Sequence, residues 1–372
     1  MGDSMKFSCN KALLVEAVTN IQRAVSTKSS IPALEGIFLR AKSSGVELCG
    51  YDLELGMTTV LEGQIEEPGS LVLSAKLFSD IVRRLPGDTV EIASDAKLVT
   101  SIVSGPAQFS IAGIPSEEYP DLPNVHSDQS IDLPQALLRS MVRQTIFAVA
   151  ETDAKPIHTG TLFELSDHVL KLVSVDGYRL AVRQESVSCD LNTSFVVPGK
   201  TLSELLRLLK DEETPLSIQI SGRHILFSID RYTIISRLLE GEFLDYQSAV
   251  PASHSTEIVV KTRTFLESVE RVSLLITDRL KSPVRCVFEE PCVKISCSTP
   301  IGRANDQFEA SVSGSPVEMG FNNRYLLDAL RFSESDEVRI LLNSPIQPMI
   351  VRPKQGEDFL FLVLPVRLKS DL

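Results

Sequence analysis

No run of about 18 consecutive apolar residues occurs in this chain, so a membrane-crossing helix is not expected. Met1 to Phe7 holds no apolar signal core, which argues against export. Met1-Gly2-Asp3-Ser4 reads as a leader or tag remnant ahead of a natural start at Met5. The sixth position is Lys6 rather than Ser or Thr, which excludes an N-myristoylation signal. The six cysteines (Cys9, Cys49, Cys189, Cys286, Cys292 and Cys297) form no Cys-x-x-Cys pair. They read as free thiols of a reducing cytoplasm, and no metal site is expected. Only five histidines are present, His126, His158, His168, His224 and His254, none set beside a Cys or Ser as a nucleophile's base. There is no phosphate-binding loop, no G-x-S-x-G, no H-E-x-x-H and no Rossmann glycine fingerprint. Tyr51-Asp52-Leu53-Glu54 sets two carboxylates close together, as acid–base or metal chemistry would require. Its counterpart Val175-Asp176-Gly177-Tyr178-Arg179 keeps only one, so a turn or edge-strand role is expected. No catalytic residue and no cofactor are expected. The net charge of −12 by itself disfavours nucleic acid as a partner.

What is present is a repeat. Three segments align without gaps: Ser74 to Arg83, Pro198 to Arg207, and Asn322 to Arg331. Their first bases, Lys76, Lys200 and Arg324, recur every 124 residues, and so do their last, Arg83, Arg207 and Arg331. An acid stands between each time: Asp80, Glu204, Asp328. Three such periods fill all 372 residues, which predicts three equivalent domains. Each opens with a second helix, expected over Lys11 to Val25, Pro134 to Ala150 and Thr262 to Ile276. Asn10 or Ser8 caps the first, and Pro134 starts the second. Between the helices lie short strands such as Ser70–Leu73, Val169–Val173, Leu216–Ile220, His224–Ile229 and Val293–Ser296, punctuated by Gly, Asp, Asn and Pro. The expected class is α+β, two helices on antiparallel sheet in each of domains 1–124, 125–251 and 252–372. Tyr119-Pro120-Asp121-Leu122-Pro123 and Phe243 through Pro251 look like the same connecting element.

The charge is segregated. In the helix expected at Lys76 to Leu85, Phe78, Ile81, Val82 and Leu85 form an apolar stripe, with Lys76 and Arg83 on the opposite face. Six helical windows, 11–25, 74–86, 135–150, 199–210, 261–276 and 323–331, are each net basic and together carry +9. Against a total of −12, the remainder of the chain carries −21. Basic helices sharing one surface would suit a phosphate backbone, while the rest of the chain repels polyanions. Nothing in the sequence reads base edges, so such binding would be indifferent to sequence.

Met5-Lys6-Phe7, Tyr51-Asp52-Leu53-Glu54 and Val175-Asp176-Gly177-Tyr178-Arg179-Leu180-Ala181 resemble the bacterial sliding clamps, the β subunits of DNA polymerase III. So do Ser236 to Phe243, Gly320-Phe321-Asn322 with Tyr325-Leu326-Leu327, and Leu364-Pro365-Val366-Arg367-Leu368. The resemblance implies a non-catalytic subunit that closes a ring around double-stranded DNA as a head-to-tail homodimer. It implies a cytoplasmic processivity factor for the replicative DNA polymerase, also serving the clamp loader, repair polymerases and other clamp-motif proteins. It implies a hydrophobic peptide cleft walled by Val175, Gly177, Tyr178, Arg179, Leu180, Leu244, Asn322, Tyr325, Ile346, Pro348, Leu364, Pro365, Val366 and Arg367. Arg179 and Arg367 are expected to hold a peptide carbonyl or carboxylate at the rim.

Two positions depart from the family. Leu244 stands where Pro is common, and His158 stands where an aliphatic residue is usual. A tail, Lys369-Ser370-Asp371-Leu372, runs on beside the expected cleft and is placed to shield it. The expected DNA-facing bases are Lys28, Lys76, Arg83, Arg84, Arg139, Arg143, Lys155, Lys200, Arg207, Lys210, Arg271, Arg324 and Arg331. The dimer contact is expected to pair Phe109 and Ile111 with Leu275 and Ile276 of a second copy. A repeat scaffold that ignores DNA is the alternative, and six basic helices weigh against it. A hydrolase or nuclease has no residue set to act with.

Overall fold

The computed structural model describes residues 4–127, 130–152 and 155–368. Of the expected leader or tag remnant Met1–Ser4, the first three residues lie outside the described residues, as does the tail Lys369–Leu372. In chain order the first third gives β1 (Met5–Asn10), α1 (Lys11–Ile21), β2 (Gly36–Lys42), β3 (Gly45–Tyr51), β4 (Leu55–Leu61), β5 (Gly63–Glu67), β6 (Gly69–Ser74), α2 (Ala75–Arg84), β7 (Thr89–Ser94), β8 (Val99–Ser104), β9 (Ala107–Ala112) and β10 (Ile114–Pro115). The second gives β11 (Ser130–Pro134), α3 (Gln135–Ile146), β12 (Gly160–Ser166), β13 (Val169–Val175), β14 (Arg179–Ser186), β15 (Thr193–Pro198), α4 (Gly199–Leu208), β16 (Pro215–Ser221), β17 (His224–Ile229), β18 (Tyr232–Arg237) and the single turn α5 (Tyr246–Ala249). The third gives β19 (Thr256–Lys261), α6 (Thr262–Val272), β20 (Val284–Glu289), β21 (Cys292–Thr299), β22 (Gly302–Glu309), β23 (Ser311–Gly314), β24 (Val317–Phe321), α7 (Asn323–Arg331), β25 (Glu337–Leu342), β26 (Met349–Pro353) and β27 (Phe359–Val363).

The 124-residue period survives in three dimensions most exactly at the hairpins. β3–β4, β13–β14 and β21–β22 lie one period apart, and the first two turn in the same way. Asp52 Oδ1 accepts from the backbone N–H of Glu54 and Leu55, at 3.0 and 2.7 Å. Asp176 Oδ1 accepts from those of Tyr178 and Arg179, at 3.0 and 3.1 Å. The expected turn is therefore an Asx turn, whose carboxylate caps backbone donors. The following residue takes positive φ in both, Leu53 at +77° and Gly177 at +87°. Only glycine does so without strain.

The opening helices are shorter than periodicity predicts. α1 ends at Ile21, α3 at Ile146 and α6 at Val272, each followed by a tighter turn closed by i→i+3 hydrogen bonds. The N–H of Val25 bonds Gln22 O, that of Val149 bonds Ile146 O, and that of Ile276 bonds Ser273 O. All three closing residues are β-branched, a type whose χ1 crowds the preceding helical turn. Pro134 does not start the second helix; it ends β11, paired with Pro215. Asn10 rather than Ser8 caps α1, its Oδ1 accepting from Leu13 N–H at 3.2 Å.

The chain condenses into two compact units. One takes the chain up to Gln135 together with Arg207–Leu238; the other takes Ala136–Leu206 with the chain from Leu239 on. The first holds a five-stranded sheet, β5-β1-β7-β8-β9, and a nine-stranded one, β10-β6-β2-β3-β4-β18-β17-β16-β11. The second holds β15-β12-β13-β14-β27-β26-β25-β19-β23 and β22-β21-β20-β24. Each nine-stranded sheet thus splices strands of consecutive repeats, β4 to β18 and β14 to β27. Helices pack their apolar stripes against the sheets, α1 on β3 and β4 and α6 on β21 and β22. In α2, Phe78, Ile81 and Val82 are buried, and in α6, Phe265, Val269 and Val272. All six cysteines are free, four of them buried, and burial pushes the Cys9 and Cys49 thiols up to about 12.

Candidate functional site

The expected cleft residues all belong to the second unit. β14 pairs with β27 so that Arg179 faces Val363 and Leu180 faces Leu362. The chain leaving β27 therefore crosses the tip of the β13–β14 hairpin. Leu364 N–H donates to Tyr178 O at 2.9 Å, and Val366 N–H donates to Gly320 O at 2.8 Å. Gly320 is required here, since a Cβ would meet Val366 O at 2.6 Å and the Leu368 side chain at 2.7 Å. Asn322 caps α7, its Oδ1 accepting from Arg324 N–H at 2.9 Å, and α7 presents Tyr325. The Tyr178 and Tyr325 rings stack at 6.0 Å, and desolvation raises the Tyr325 pKa.

Arg179, expected to hold a peptide carbonyl or carboxylate at the rim, is already engaged within its own unit. Its side chain is only 13% exposed and is already paired with Asp176 at 2.8 Å and with Asp328 at 2.5 Å. The guanidinium lies 4.6 Å over the Tyr325 ring and 5.5 Å from that of Phe147. Two carboxylates take two of its five N–H donors, and two rings lie against its planar faces. Arg367 is exposed, as expected.

The walls divide in two. Tyr178, Arg179, Asn322, Tyr325 and Val366 line a cavity of about 1330 Å³. Val175 and Leu180 are buried in an apolar cluster with Val173, Ile350, Leu360 and Leu362, against which Phe243, Val250 and Leu341 pack. Around that cluster Leu244, Leu364 and Val366 are exposed, and Ile346 reaches 82% exposure. Pro348 lines a second cavity of about 220 Å³. His158 is buried, its ring edge-on to Phe243 at 5.6 Å. Among the described residues no cluster of His, Cys, Asp and Glu is grouped to hold a metal.

Six of the thirteen expected DNA-facing bases are engaged with acids of their own unit. Arg84 pairs with Asp80 (3.1 Å), Arg143 with Glu334 (2.9 Å), Lys210 with Asp230 (3.0 Å), Arg271 with Asp306 (2.7 Å) and Arg331 with Glu270 (3.1 Å). Arg324 pairs with Asp278, and Arg83 reaches Thr19 Oγ1 at 3.4 Å. Among the described residues Lys28, Lys76 and Arg139 have no ion-pair partner. Lys155, Lys200 and Arg207 each interact within the protein.

Phe109 and Ile111 sit on β9, an edge of the five-stranded sheet, with Phe109 exposed. Leu275 is the last residue of the tighter turn after α6, and Ile276 packs partly against the core. The outermost residue is Leu274, 81% exposed, which sequence reading passed over. Helical periodicity hides it, because the helix has already ended at Val272.

The comparisons are consistent over the chain. The N-terminal, central and C-terminal domain models of the DNA polymerase III beta subunit match residues 5–123, 132–245 and 247–367. The beta sliding clamp of Bacillus subtilis is 35% identical over 377 residues, 98% of this chain and 100% of that protein. The solved sliding clamp of Bacillus subtilis has a TM-score of 0.95 at 34% identity, covering 98% of this chain and 100% of that one. The Pseudomonas aeruginosa sliding clamp bound to griselimycin has a TM-score of 0.92 at 26% identity, covering 99% and 100%. With three domain models matched in order and full-length relatives above 30% identity, the chain belongs to the DNA polymerase III beta subunit family, the beta sliding clamps.

Proposed function

We propose that two copies of this chain join head to tail, with domains 1–124, 125–251 and 252–372 in each, and close a ring around duplex DNA. The ring is a cytoplasmic, non-catalytic tether. It holds the replicative polymerase, and in turn the clamp loader, repair polymerases and other clamp-motif proteins, through the apolar face around Val175, Leu180 and Leu364. The family membership supports the clamp reading, and the pattern of sheet edges supports the closure. β4 is joined to β18 and β14 to β27. The next members of these two series are β22, from the third repeat, and β9, from the first. Both are edge strands. Edge strands with free N–H and C=O groups template further pairing. A head-to-tail second copy gives β22 the partner that its equivalents already have, and the twofold repetition closes the assembly. Leu274 and Ile301, both well exposed, flank that edge and supply apolar surface for the junction.

The test is topological. Once loaded onto nicked circular DNA by a clamp loader, the protein should stay bound through gel filtration in high salt and leave when the circle is linearised. Equal loss from circles and from linear DNA would overturn the ring.

A further inference from the structure

We infer that the apolar docking face continues into a carboxylate-binding subsite built on Arg339 and Arg352, which takes an acidic side chain flanking the partner's apolar anchor. The inference rests on the docking reading above and extends it to partner chemistry. Arg339 on β25 and Arg352 on β26 are direct partners in the antiparallel ladder, and the next same-face pair is Leu341 with Ile350. Ile350 and Leu341 belong to the apolar cluster that contains Val175 and Leu180, so the two arginines extend that face. Both line the cavity of about 220 Å³, together with the cleft residue Pro348 and the apolar Val250.

The charge of this cavity is not balanced. Like charges directly opposed across a ladder repel. Arg352 has one counter-ion, Glu357 at 3.3 Å, itself 69% exposed. His254, on the same wall, is turned to Glu257 at 3.3 Å. Among the described residues Arg339 takes part in no side-chain hydrogen bond or ion pair, and its Nε is buried with no acceptor. A buried guanidinium N–H without a partner is costly, and an incoming acceptor recovers that cost. One unpaired guanidinium calls for one negative charge. A carboxylate supplies it, with two coplanar oxygens that match the guanidinium fork. A phosphate dianion would bring a second charge towards Glu357. The contiguous apolar wall selects a carboxylate carried on a peptide rather than a free one.

The test uses the intact protein and two labelled peptides with one leucine–phenylalanine anchor, flanked by two glutamates or by two glutamines. Anisotropy should give the glutamate peptide about tenfold tighter binding, the scale of one charge-assisted hydrogen bond. Arg339→Gln and Arg352→Gln should each abolish that preference and leave the glutamine peptide's affinity unchanged. Equal affinities on the parent protein, or a preference that survives both substitutions, overturn the subsite. In a second arm N-acetylglutamate is titrated while the Arg339 Nε–H resonance is followed by NMR. A saturable shift, absent with N-acetylglutamine and lost in Arg352→Gln, is expected, and no shift overturns the proposal. If the resonance shifts but neither peptide binds, the docking reading falls and takes the peptide assignment with it. If both peptides bind equally, the docking reading stands and the subsite alone falls.

Discussion

At the scale of single residues, Arg179 is already engaged within its own fold. An arginine in a peptide cleft is naturally read as an anion anchor. Here it cross-braces the hairpin, through Asp176, to α7, through Asp328, and its flat face supports Tyr325. Replacing it with Met keeps the aliphatic stem but strands two poorly exposed carboxylates. Removing one partner of a mostly buried ion network costs about 3 kcal/mol. Urea unfolding of Arg179→Met should show a loss of that order. Peptide affinity should fall with it, because Tyr325 loses its support. A variant as stable as the parent but without peptide binding would instead return Arg179 to the role of direct anchor. The sequence did not show this engagement, because Asp328 lies 149 positions away and no local pattern couples the two.

At the scale of elements, the helices and hairpins were legible because periodicity and turn chemistry are local. The Asp52 and Asp176 turns, the α2 stripe and the Asn10 cap all follow from residues within a few positions of each other. Helix ends were less legible. Val25, Val149 and Ile276 are apolar at helical spacing, yet each closes a tighter turn. That one-turn difference moves the exposed apolar residue at the end of α6 to Leu274. Leu274→Asp should therefore shift native mass or sedimentation from dimer to monomer while leaving the melting of the monomer nearly unchanged, because the side chain is already in water. Ile276→Asp should destabilise the fold itself, since Ile276 packs on the core. If Leu274→Asp remained fully dimeric, the junction would lie elsewhere. Phe109→Asp on β9 is the matching test on the other edge.

At the scale of the whole molecule, the proposed ring would hold DNA through its segregated charge. Six of the thirteen expected DNA-facing bases already pair with acids of the same unit. Phosphates must compete with these carboxylates, so direct contacts should be few and weak, as the proposed sliding ring requires. Direct DNA binding should be indifferent to sequence and fall with salt, with a log–log slope near −0.9 per phosphate contacted. Lys76→Glu with Arg83→Glu should flatten that slope by up to about 2, without changing retention on closed circles. Sequence-selective competition, or a slope unchanged by the double substitution, would contradict this reading.

The sequence by itself determined the period, the class of each element and the sign of the helix faces. These depend on backbone propensity, amphipathic spacing and composition, all of which act within a few residues. The 124-residue recurrence even carried the hairpins into register. Only the tertiary structure decided which strands splice consecutive repeats and which edges stay open. It also decided that, among the described residues, Arg179 meets two carboxylates and that Arg339 meets none. Those outcomes depend on which groups meet across more than a hundred residues of chain, and on which of them find a counter-charge once water has been removed. A buried guanidinium looks the same in sequence whether two carboxylates meet it or none, and only the packed fold distinguishes the two.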